Sequence, residues 1–376
     1  MKHLALLALT ATLLPGQERF LYPLPSDEIS ISHDVEFGPD LRLDLYKLAG
    51  AARGAKLPVL VFANSIGGGA IERGWPIYQG WARLAAARGF GAIVMDGREN
   101  RAEEDLDLLL GFLEKHGAEH GLDGARVALY AASANVWRAF ALVEDPKRSA
   151  VKAALIFYGT AEVTRFRQDL PVLLVRAGLD RPDMNRQLDA MAAAALSSNA
   201  PVRVLNHASG HHGFEVIDDT DETRAVIDEA LRFAQTSLGS GYQASLRATA
   251  REATAAGAIL RGDFALAANE YGALVPSRPN DIRLLMSYGE ALTGAGEYKK
   301  ALAQFDRVKE IGGAGPRDLG IPAARAAALD RNSEAALRWL QSIPARFRPT
   351  ALSADPAFAA MRSQKAFQDL FPGMTK

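Results

Sequence analysis

The sequence predicts an α/β fold with a mainly parallel sheet and flanking helices, followed by an all-α helical-repeat domain. Short β-rich runs alternate with amphipathic helical stretches from about residue 29 to residue 238, which is typical of strand–helix–strand units. From about residue 242 the strand signal ends and similar segments recur thirty-four residues apart, which indicates a helical repeat. At 376 residues the chain also exceeds the usual size of a single hydrophobic core, so we expect two domains.

The predicted strands are mostly continuous apolar runs, which is typical of strands covered by helices on both faces. They lie at residues 57–62, 91–95, 127–130, 153–158, 172–175 and 202–205. Helices that connect them are predicted at residues 75–88, 103–116, 182–198 and 221–237. Two earlier runs, 29–37 and 41–47, predict an antiparallel hairpin at one edge of the sheet. The α/β domain is expected to span residues 26–238.

Composition and charge exclude several classes of function. The chain has 43 basic and 44 acidic residues, a net charge of -1 and no basic cluster. Binding to nucleic acid depends on positive charge that faces the phosphates, so no nucleic-acid partner is expected. Because there are no cysteines, disulfides and a lipidated cysteine anchor are excluded.

The first residues resemble a signal peptide. A charged start, Met1 to His3, precedes a mostly apolar stretch from Leu4 to Leu14, and Pro15 ends it. This stretch is shorter than the roughly 20 residues needed to cross a bilayer, so cleavage after residue 16 and a periplasmic or secreted location are expected, with no membrane span afterwards. Leu14 is larger than the small residue preferred near a cleavage site, which leaves an uncleaved anchor as the alternative.

The repetition in the second half combines small and aromatic residues. The segment "GDFALAANEY" begins at Gly262 and "GEYKKALAQF" begins at Gly296. Three alanines and three aromatic residues recur in register: Ala267, Ala301 and Ala335, and Tyr271, Phe305 and Trp339. The pattern resembles the tetratricopeptide repeat, whose helix pairs cross closely at small residues and place aromatics between neighbours.

The boundaries of the repeat domain follow from this pattern. A short linker is predicted at residues 239–244, and the repeat domain at residues 245–376. The third copy of the repeat is degraded at residues 312–330. The segment "LSADPAFAAMRSQKAFQDL" predicts a terminal capping helix. The resemblance implies a concave face for a protein or peptide partner, and the alternative is that so few repeats serve only to cap or pair the first domain.

Ser133 follows a predicted buried strand within "YAASAN". A nucleophilic serine on a sharp strand-to-helix turn needs small residues two positions away on each side, usually in the pattern G-x-S-x-G. Here Ala131 and Asn135 occupy those positions, and the Asn135 side chain would have to turn outward. The alternative is that Ser133 only begins or caps the helix predicted at residues 136–143.

Two further polar residues follow later strands of the predicted sheet. Asp180 ends "RAGLD", directly after the strand at residues 172–175, and His212 lies in "GHHGF", after the strand at residues 202–205. Each alone has an ordinary structural explanation: a turn or helix cap for the aspartate, a solvated loop for the histidine. Together they complete the chain order Ser, Asp, His at the ends of strands.

With these three motifs, residues 29–238 resemble the α/β hydrolase superfamily, in particular its dienelactone-hydrolase-like and related esterase branches. The resemblance implies Ser133 as the nucleophile and His212 as the general base and then acid. It implies that Asp180 orients the imidazole. Asp183, in the first turn of the next helix, is the reserve candidate for the acidic residue.

The resemblance also implies an oxyanion hole made of backbone amides. The first donor would be the amide of Ala134, the residue after the nucleophile. The second would come from the loop "NSIGGG" at residues 64–69, with Ser65, Ile66 and Gly67 as candidates. Just after this loop, the aromatic stretch that contains Trp75 and Tyr78 either walls the site or packs as part of a helix.

A metal site is the competing interpretation of the histidines. His207 and His211 are four residues apart, next to His212, but Gly210 and the lack of a helical pattern favour a loop. No Glu-x-x-His motif or cysteine completes a zinc site, so neither a metal nor another cofactor is expected.

The sequence thus predicts a secreted or periplasmic serine hydrolase that acts on a small-molecule ester through an acyl-enzyme. A carboxylic ester, a lactone or a thioester is compatible with the motifs, and a peptide bond is less favoured. The alternative hypothesis is a catalytically inactive scaffold whose repeats act as a protein-binding module. Asn135 and the unusual residues at 64 and 65 favour this alternative, and the complete set of Ser, Asp and His opposes it.

Overall fold

A computed structural model describes residues 19–24, 26–50, 56–63, 72–143, 145–162 and 166–372, with the backbone alone for residues 140–143. Residues 1–16, predicted as a signal peptide, and the oxyanion candidates Ser65, Ile66 and Gly67 lie outside this range. The contacts divide the chain into two units, Met1–Leu246 and Arg247–Lys376.

The first unit contains a sheet of eight strands. In chain order these are β1 (Ile29–Gly38), β2 (Leu41–Leu48), β3 (Leu57–Phe62), β4 (Gly91–Met95), β5 (Leu122–Ala132), β6 (Val151–Phe157), β7 (Val172–Ala177) and β8 (Val202–His207). Their spatial order is β1-β2-β4-β3-β5-β6-β7-β8. Strand β2 runs antiparallel to β1 and β4, and all other neighbours are parallel. The predicted sheet and its edge hairpin are therefore present.

Six helices belong to this sheet: α1 (Pro76–Ala87), α2 (Ala102–His116), α3 (Asn135–Val143), α4 (Pro182–Ser197), α5 (Phe214–Ile217) and α6 (Asp221–Ser237). Local sequence explains where several begin. Proline occupies the first helical position of α1 and α4, where its missing N–H has no cost. Thr220 caps α6 by accepting a hydrogen bond from the backbone N–H of Thr223.

Each face of the sheet has its own hydrophobic core. On one face α1 and α6 pack against the strands, and the core contains four fully buried aromatic residues, Trp81 on α1 and three on strands: Phe62, Tyr130 and Phe157. On the other face α2 and α4 contribute aliphatic side chains: Leu106, Leu109, Leu188 and Met191. Burial on both faces explains why the central strands are continuous apolar runs.

Residues 239–244 are predicted as a linker. In the structure helix α7 (Ser240–Leu260) begins within this segment. The side-chain amide of Gln243 donates hydrogen bonds to the carbonyls of Ser237, at 2.8 Å, and Lys152, at 3.1 Å. These contacts fix the first turn of the helix despite the glycines at positions 239 and 241. Residues 240–244 are therefore helical, whereas composition alone predicted a linker.

The second unit is built of further helices: α8 (Phe264–Leu274), α9 (Ile282–Gly294), α10 (Tyr298–Ile311), α11 (Pro316–Leu329) and α12 (Ser333–Gln341). Tight turns precede α8, α10 and α12, and each turn contains one residue with positive φ: Gly262, Gly296 and Arg331. Residues 312–330, predicted as a degraded repeat copy, contain the regular helix α11. A helix therefore forms there despite the weak sequence match.

The recurring small and aromatic residues form the core of this unit. Ala301 and Phe305 are fully buried. The equivalent alanines of the other two copies are also buried, Ala267 at 0% exposure and Ala335 at 9%. A Cβ atom added to Gly289 on α9 would lie 2.6 Å from the Phe305 ring on α10. The two helices therefore cross so closely that one of them needs a glycine at the contact.

The segment predicted as a terminal capping helix is instead a series of short turns. After a 3₁₀ helix at Ala345–Phe347, which precedes the segment, two more span Thr350–Ala354 and Pro356–Met361, and a single α-helical turn, α13, spans Lys365–Gln368. Asp355 accepts a hydrogen bond from the amide of Ala357 and so interrupts the helix. Phe358 and Phe367 are fully buried all the same, so the segment covers the core.

Among the described residues, no helix combines the length and the hydropathy that a membrane span requires.

Replacing Phe305 with alanine should destabilise the second unit. Because the ring is fully buried, its loss should lower the free energy of unfolding by about 3–5 kcal/mol. Calorimetric unfolding of the full chain measures the effect. Leu260, 89% exposed, provides the control, since Leu260→Ala should change stability by no more than about 0.5 kcal/mol. Equal effects of the two changes would contradict the buried position of Phe305.

Candidate active site

Ser133 lies in the turn between the end of β5 at Ala132 and the start of α3 at Asn135. Its φ of 54° is in the left-handed region, which is unusual for a residue with a side chain. The backbone N–H of Ser133 donates to the carbonyl of Phe157 at 2.9 Å, and its own carbonyl accepts from Val136 at 3.1 Å. This is the strained geometry that the sequence predicts for a nucleophile turn.

Gly159, just past β6, makes room for this turn. A Cβ atom at this position would lie 2.4 Å from both the Ser133 carbonyl oxygen and the Val136 side chain. No side chain fits there without moving the turn. Gly159 was not identified from the sequence as part of the site. The signal that could have found it is its place just after a strand end, like that of Gly178 after β7.

Asp180 and His212 lie on the loops that follow β7 and β8. A Cβ atom at Gly178, two residues before Asp180, would lie 2.2 Å from the carbonyl oxygen of Ala208, so the two loops pack closely. Gly213, directly after His212, has a φ of 77° and turns the chain into α5. Both loops lie at the edge where the carboxyl ends of the parallel strands meet, the usual location of functional groups in α/β folds.

The structure brings Ser133, His212 and Asp180 together in one hydrogen-bonded chain. Ser133 Oγ lies 2.7 Å from His212 Nε2, and His212 Nδ1 lies 2.7 Å from Asp180 Oδ2. The Asp180 side chain is 4% exposed and that of His212 is 41% exposed. Since a carboxylate only accepts, Nδ1 carries the proton that it donates to Asp180, and Nε2 of the neutral ring accepts from the serine hydroxyl.

Asp183, the reserve candidate, has a different partner. Its carboxylate binds the guanidinium of Arg181, at 2.7 and 3.2 Å. The hydrogen bond from Arg181 is the main reason that the pKa of Asp183 is lowered. The second oxygen of Asp180 accepts from the backbone N–H of Arg181 at 2.7 Å. Asp180, and not Asp183, is therefore the carboxylate on the imidazole.

Asn135 does not turn outward as predicted. Its side chain is buried, 3% exposed, and its amide donates to the hydroxyl of Tyr78 on α1 at 3.3 Å. The prediction is wrong because it assumed an empty surface near the turn, whereas α1 supplies a polar partner. Tyr78 in turn stacks on Trp75, with 6.1 Å between ring centroids, and Trp75 is 41% exposed.

The neighbouring histidines have other roles. His207 is fully buried and its Nε2 lies 2.9 Å from the hydroxyl of Thr223. His211 is paired with Asp218 at 2.8 Å. Within the part of the chain that the structure describes, no group of three or more metal-ligating side chains is placed to hold an ion.

The proposed oxyanion hole is described only in part. Ala134 is half-buried and directly precedes α3.

Arg73, shortly before α1, lies at the centre of a charged cluster. It forms ion pairs with three carboxylates, Asp34 at 2.9 Å, Asp44 at 2.6 Å and Asp96 at 2.8 Å. Sequence reasoning missed this cluster because its members are far apart in the chain.

Arg73 also affects the ionisation of one of these carboxylates. Burial by itself would raise the pKa of Asp44, but hydrogen bonds from the Asp34 backbone, His33 and Arg73 outweigh it, so the pKa is lowered. The ion pairs of the cluster attach the chain just before α1 to three other segments.

The comparisons with known proteins concern the fold. No protein-family model and no curated protein matches the chain. Among solved structures, the α/β hydrolase MGS-M1 from a Medee basin deep-sea metagenome library has a TM-score of 0.46 at 17% identity, over 56% of this chain and 99% of that one. The thermostable carboxylesterase EstE1 from a metagenomic library has 0.47 at 18%, over 59% and 94%. A thermostable esterase from Pseudomonas putida has 0.48 at 14%, over 58% and 85%.

The first unit is an α/β fold with a mostly parallel sheet, an antiparallel β2 and a strained serine turn at the end of β5. Because one fold carries many activities, this arrangement does not identify a substrate.

Gly159→Ala should displace the serine turn. The added methyl group has no room against Ser133 and Val136, so we expect a loss of about 1–3 kcal/mol of stability. A crystal structure of the variant should show a longer distance between Ser133 Oγ and His212 Nε2. Gly111→Ala is the matched control, because nothing lies within 4 Å of its added Cβ and alanine in a helix should stabilise by about 1 kcal/mol. An unchanged serine turn in Gly159→Ala would refute the packing argument.

The stability of the chain should depend on pH through Glu215. Burial raises the pKa of this carboxyl above its ordinary value of 4.5, so the folded state binds the proton more tightly than the unfolded state. The stabilisation is complete below pH 4.5 and is lost as the pH rises through the folded-state pKa.

Calorimetry tests this trend. The melting temperature of the wild type relative to Glu215→Gln should fall as the pH rises above about 4.5. Relative to Asp183→Asn, the wild type should keep a constant stability over this range and lose stability only as the pH falls below about 3.8, because Arg181 lowers the pKa of Asp183. A wild type that gains stability relative to Glu215→Gln over this range would contradict the raised pKa.

Proposed function

We propose that the chain is a serine hydrolase of the esterase type that acts through an acyl-enzyme. The observation that carries the proposal is the hydrogen-bonded chain from Ser133 through His212 to Asp180, with 2.7 Å at each step. A serine hydroxyl is a weak nucleophile unless a base within hydrogen-bond reach takes its proton. His212 is at that distance and is itself oriented by a buried carboxylate.

The mechanism has two halves. Ser133 Oγ attacks the ester carbonyl carbon while His212 Nε2 takes the hydroxyl proton, and a tetrahedral intermediate forms. As the intermediate collapses, His212 gives this proton to the leaving alkoxide, and the alcohol departs from the acyl-enzyme. A water molecule, deprotonated by His212, then attacks the acyl carbon, and the returning proton restores Ser133.

Two further groups support the transition state. Asp180 stabilises the imidazolium that forms on His212 and keeps its Nδ1 proton in place. The amide of Ala134 is proposed as the first oxyanion donor, and an amide of Ser65, Ile66 or Gly67 as the second. The negative charge develops on the carbonyl oxygen only during the reaction, so such donors lower the barrier more than they strengthen binding.

The substrate is proposed to be a small ester with an apolar part. Large apolar side chains are exposed next to each element of the site: Trp75 at 41%, Trp137 at 56%, Leu179 at 56% and Ile217 at 50%. Isolated exposed apolar residues are ordinary, but these four follow strands whose ends form the same edge. They favour an apolar acyl or alcohol group on a carboxylic ester, a lactone or a thioester.

The second unit is proposed as an interaction module of the tetratricopeptide type. The spacing of its helices, the positive-φ turns and the buried alanines all recur at nearly the same interval. A protein or peptide partner would bind the concave face of such repeats. Export to the periplasm or beyond the cell is also proposed, from the charged and apolar segment at residues 1–16.

The second candidate function is an inactive hydrolase fold that serves the repeats as a scaffold. The observation in its favour is Asn135, which occupies a position where glycine is usual and fills it with a buried amide. The hydrogen-bonded arrangement of the serine, histidine and aspartate favours the enzyme, since an inactive scaffold has no need to keep three groups in this geometry.

A fluorophosphonate probe separates the two functions. The enzyme should be labelled at Ser133, and the labelling should vanish in Ser133→Ala.

With aryl esters of increasing acyl length as substrates, Asp180→Asn should lower kcat about 10⁴-fold, because the imidazole loses its orienting carboxylate.

Asp183→Asn is the matched control for Asp180→Asn. The two residues are three apart, but Asp183 only forms an exposed ion pair with Arg181, so its loss should change kcat by no more than about twofold. Absence of both labelling and ester turnover in the wild type would favour the scaffold. A larger effect of Asp183→Asn than of Asp180→Asn would overturn the assignment of the carboxylate.

A further inference from the structure

A buried carboxyl group lies three residues after His212 and takes no part in the proposed reaction. Glu215, in helix α5, is 0% exposed, and its Oε1 accepts a hydrogen bond from the hydroxyl of Tyr130 at 3.0 Å. The hydroxyl of Tyr158 and the indole of Trp81 face the same carboxyl, although Trp81 Nε1 has no hydrogen bond within the described residues. Burying a carboxyl is unfavourable unless polar groups compensate it, so its presence calls for an explanation.

Tyr158 connects this carboxyl with the imidazole. It follows β6 with a φ of 32°, a conformation that aromatic residues rarely adopt. Its ring lies 4.8 Å from the ring of His212 and edge-on to Phe214, at 5.5 Å between centroids. Its backbone N–H is fixed by the carbonyl of Val175 at 2.8 Å. Strained residues persist where the surrounding structure holds them, and such sites are often functional.

The hydrogen bond between Tyr130 and Glu215 joins the two segments on which the reaction depends. Tyr130 lies three residues before Ser133 in β5, and Glu215 lies three residues after His212. The backbone carbonyl of Glu215 accepts from Leu21 at 2.8 Å, which is a second attachment of α5. The segments that carry the nucleophile and the base are thus linked by a buried hydrogen bond.

We propose that Glu215 is a positioning residue for His212: by binding Tyr130 and facing Tyr158, it fixes the segment and the aromatic ring that hold the imidazole between Ser133 and Asp180. The proposal rests on the proposed hydrolase function for its kinetic consequences. Burial raises the pKa of the carboxyl, and the groups acting on it are Tyr130, Tyr158 and Trp81, none of which carries a positive charge.

The test removes both partners of the central hydrogen bond at once. Glu215→Leu/Tyr130→Phe removes both polar groups of this hydrogen bond together, so neither of the two is left unpaired in the core. We expect kcat for an aryl ester to fall about 10–100-fold with KM changed by no more than about twofold, because binding remains while the base is misplaced. Glu215→Gln keeps an acceptor for Tyr130 and should restore most of the kcat.

A second readout does not depend on activity. The Nδ1 proton of His212, hydrogen-bonded to Asp180, should give a far-downfield proton NMR signal that is absent from His212→Ala. The signal should be sharp in the wild type and in Glu215→Gln, and broadened or lost in the double variant. Asp105→Asn is the control, since Asp105 is an equally buried carboxyl that binds Arg98 away from the site. It should leave both kcat and the proton signal unchanged.

Wild-type kcat and an unchanged proton signal in the folded double variant would overturn the proposal, as would a loss of kcat that only follows the fraction of unfolded protein. If the double variant does not fold, the kcat and the Nδ1 proton signal of Tyr130→Phe decide the question instead. If the wild type hydrolyses no ester, the hydrolase function fails, and the proton signal alone then decides whether Glu215 positions His212.

Discussion

The site depends on one constraint, the strained conformation of Ser133 between β5 and α3. A residue with a side chain adopts a φ of 54° only if its surroundings hold it there. The carbonyl of Phe157 and the first turn of α3 do so through hydrogen bonds. The close approach of β6 then requires the glycine at position 159. As a result the serine hydroxyl projects from the end of a strand towards the loops after β7 and β8.

The parallel sheet converts separate segments of sequence into one site. Strands β5, β7 and β8 end at the same edge, so the residues that follow them meet although they are up to 79 positions apart. Helices on both faces bury the central strands and support this edge. Polar groups buried beneath the edge, with Glu215 and Tyr130 among them, connect the segments a second time. A site on such a support loses little precision to loop motion.

The second unit follows a different principle. Its helices pack on their sequence neighbours through alanines and aromatic residues that recur in register. Where two helices come closest, a glycine replaces the side chain, as Gly289 does beneath Phe305. The irregular turns after α12 bury Phe358 and Phe367 and so complete the core without a full helix. Stability of this kind is shared among neighbouring elements and does not need long-range strand pairing.

The sequence by itself determined the class of fold, the edge hairpin, most of the strands and helices, and the three residues of the hydrogen-bonded chain. These follow from local periodicity and from the order in which polar residues follow strands. Only the tertiary structure decided the orientation of Asn135, the clustering of Arg73 with its three carboxylates, and the burial of Glu215. It also replaced the predicted linker and capping helix with other structure. Such features depend on contacts between residues far apart in the chain, and local patterns carry no information about which of them will meet.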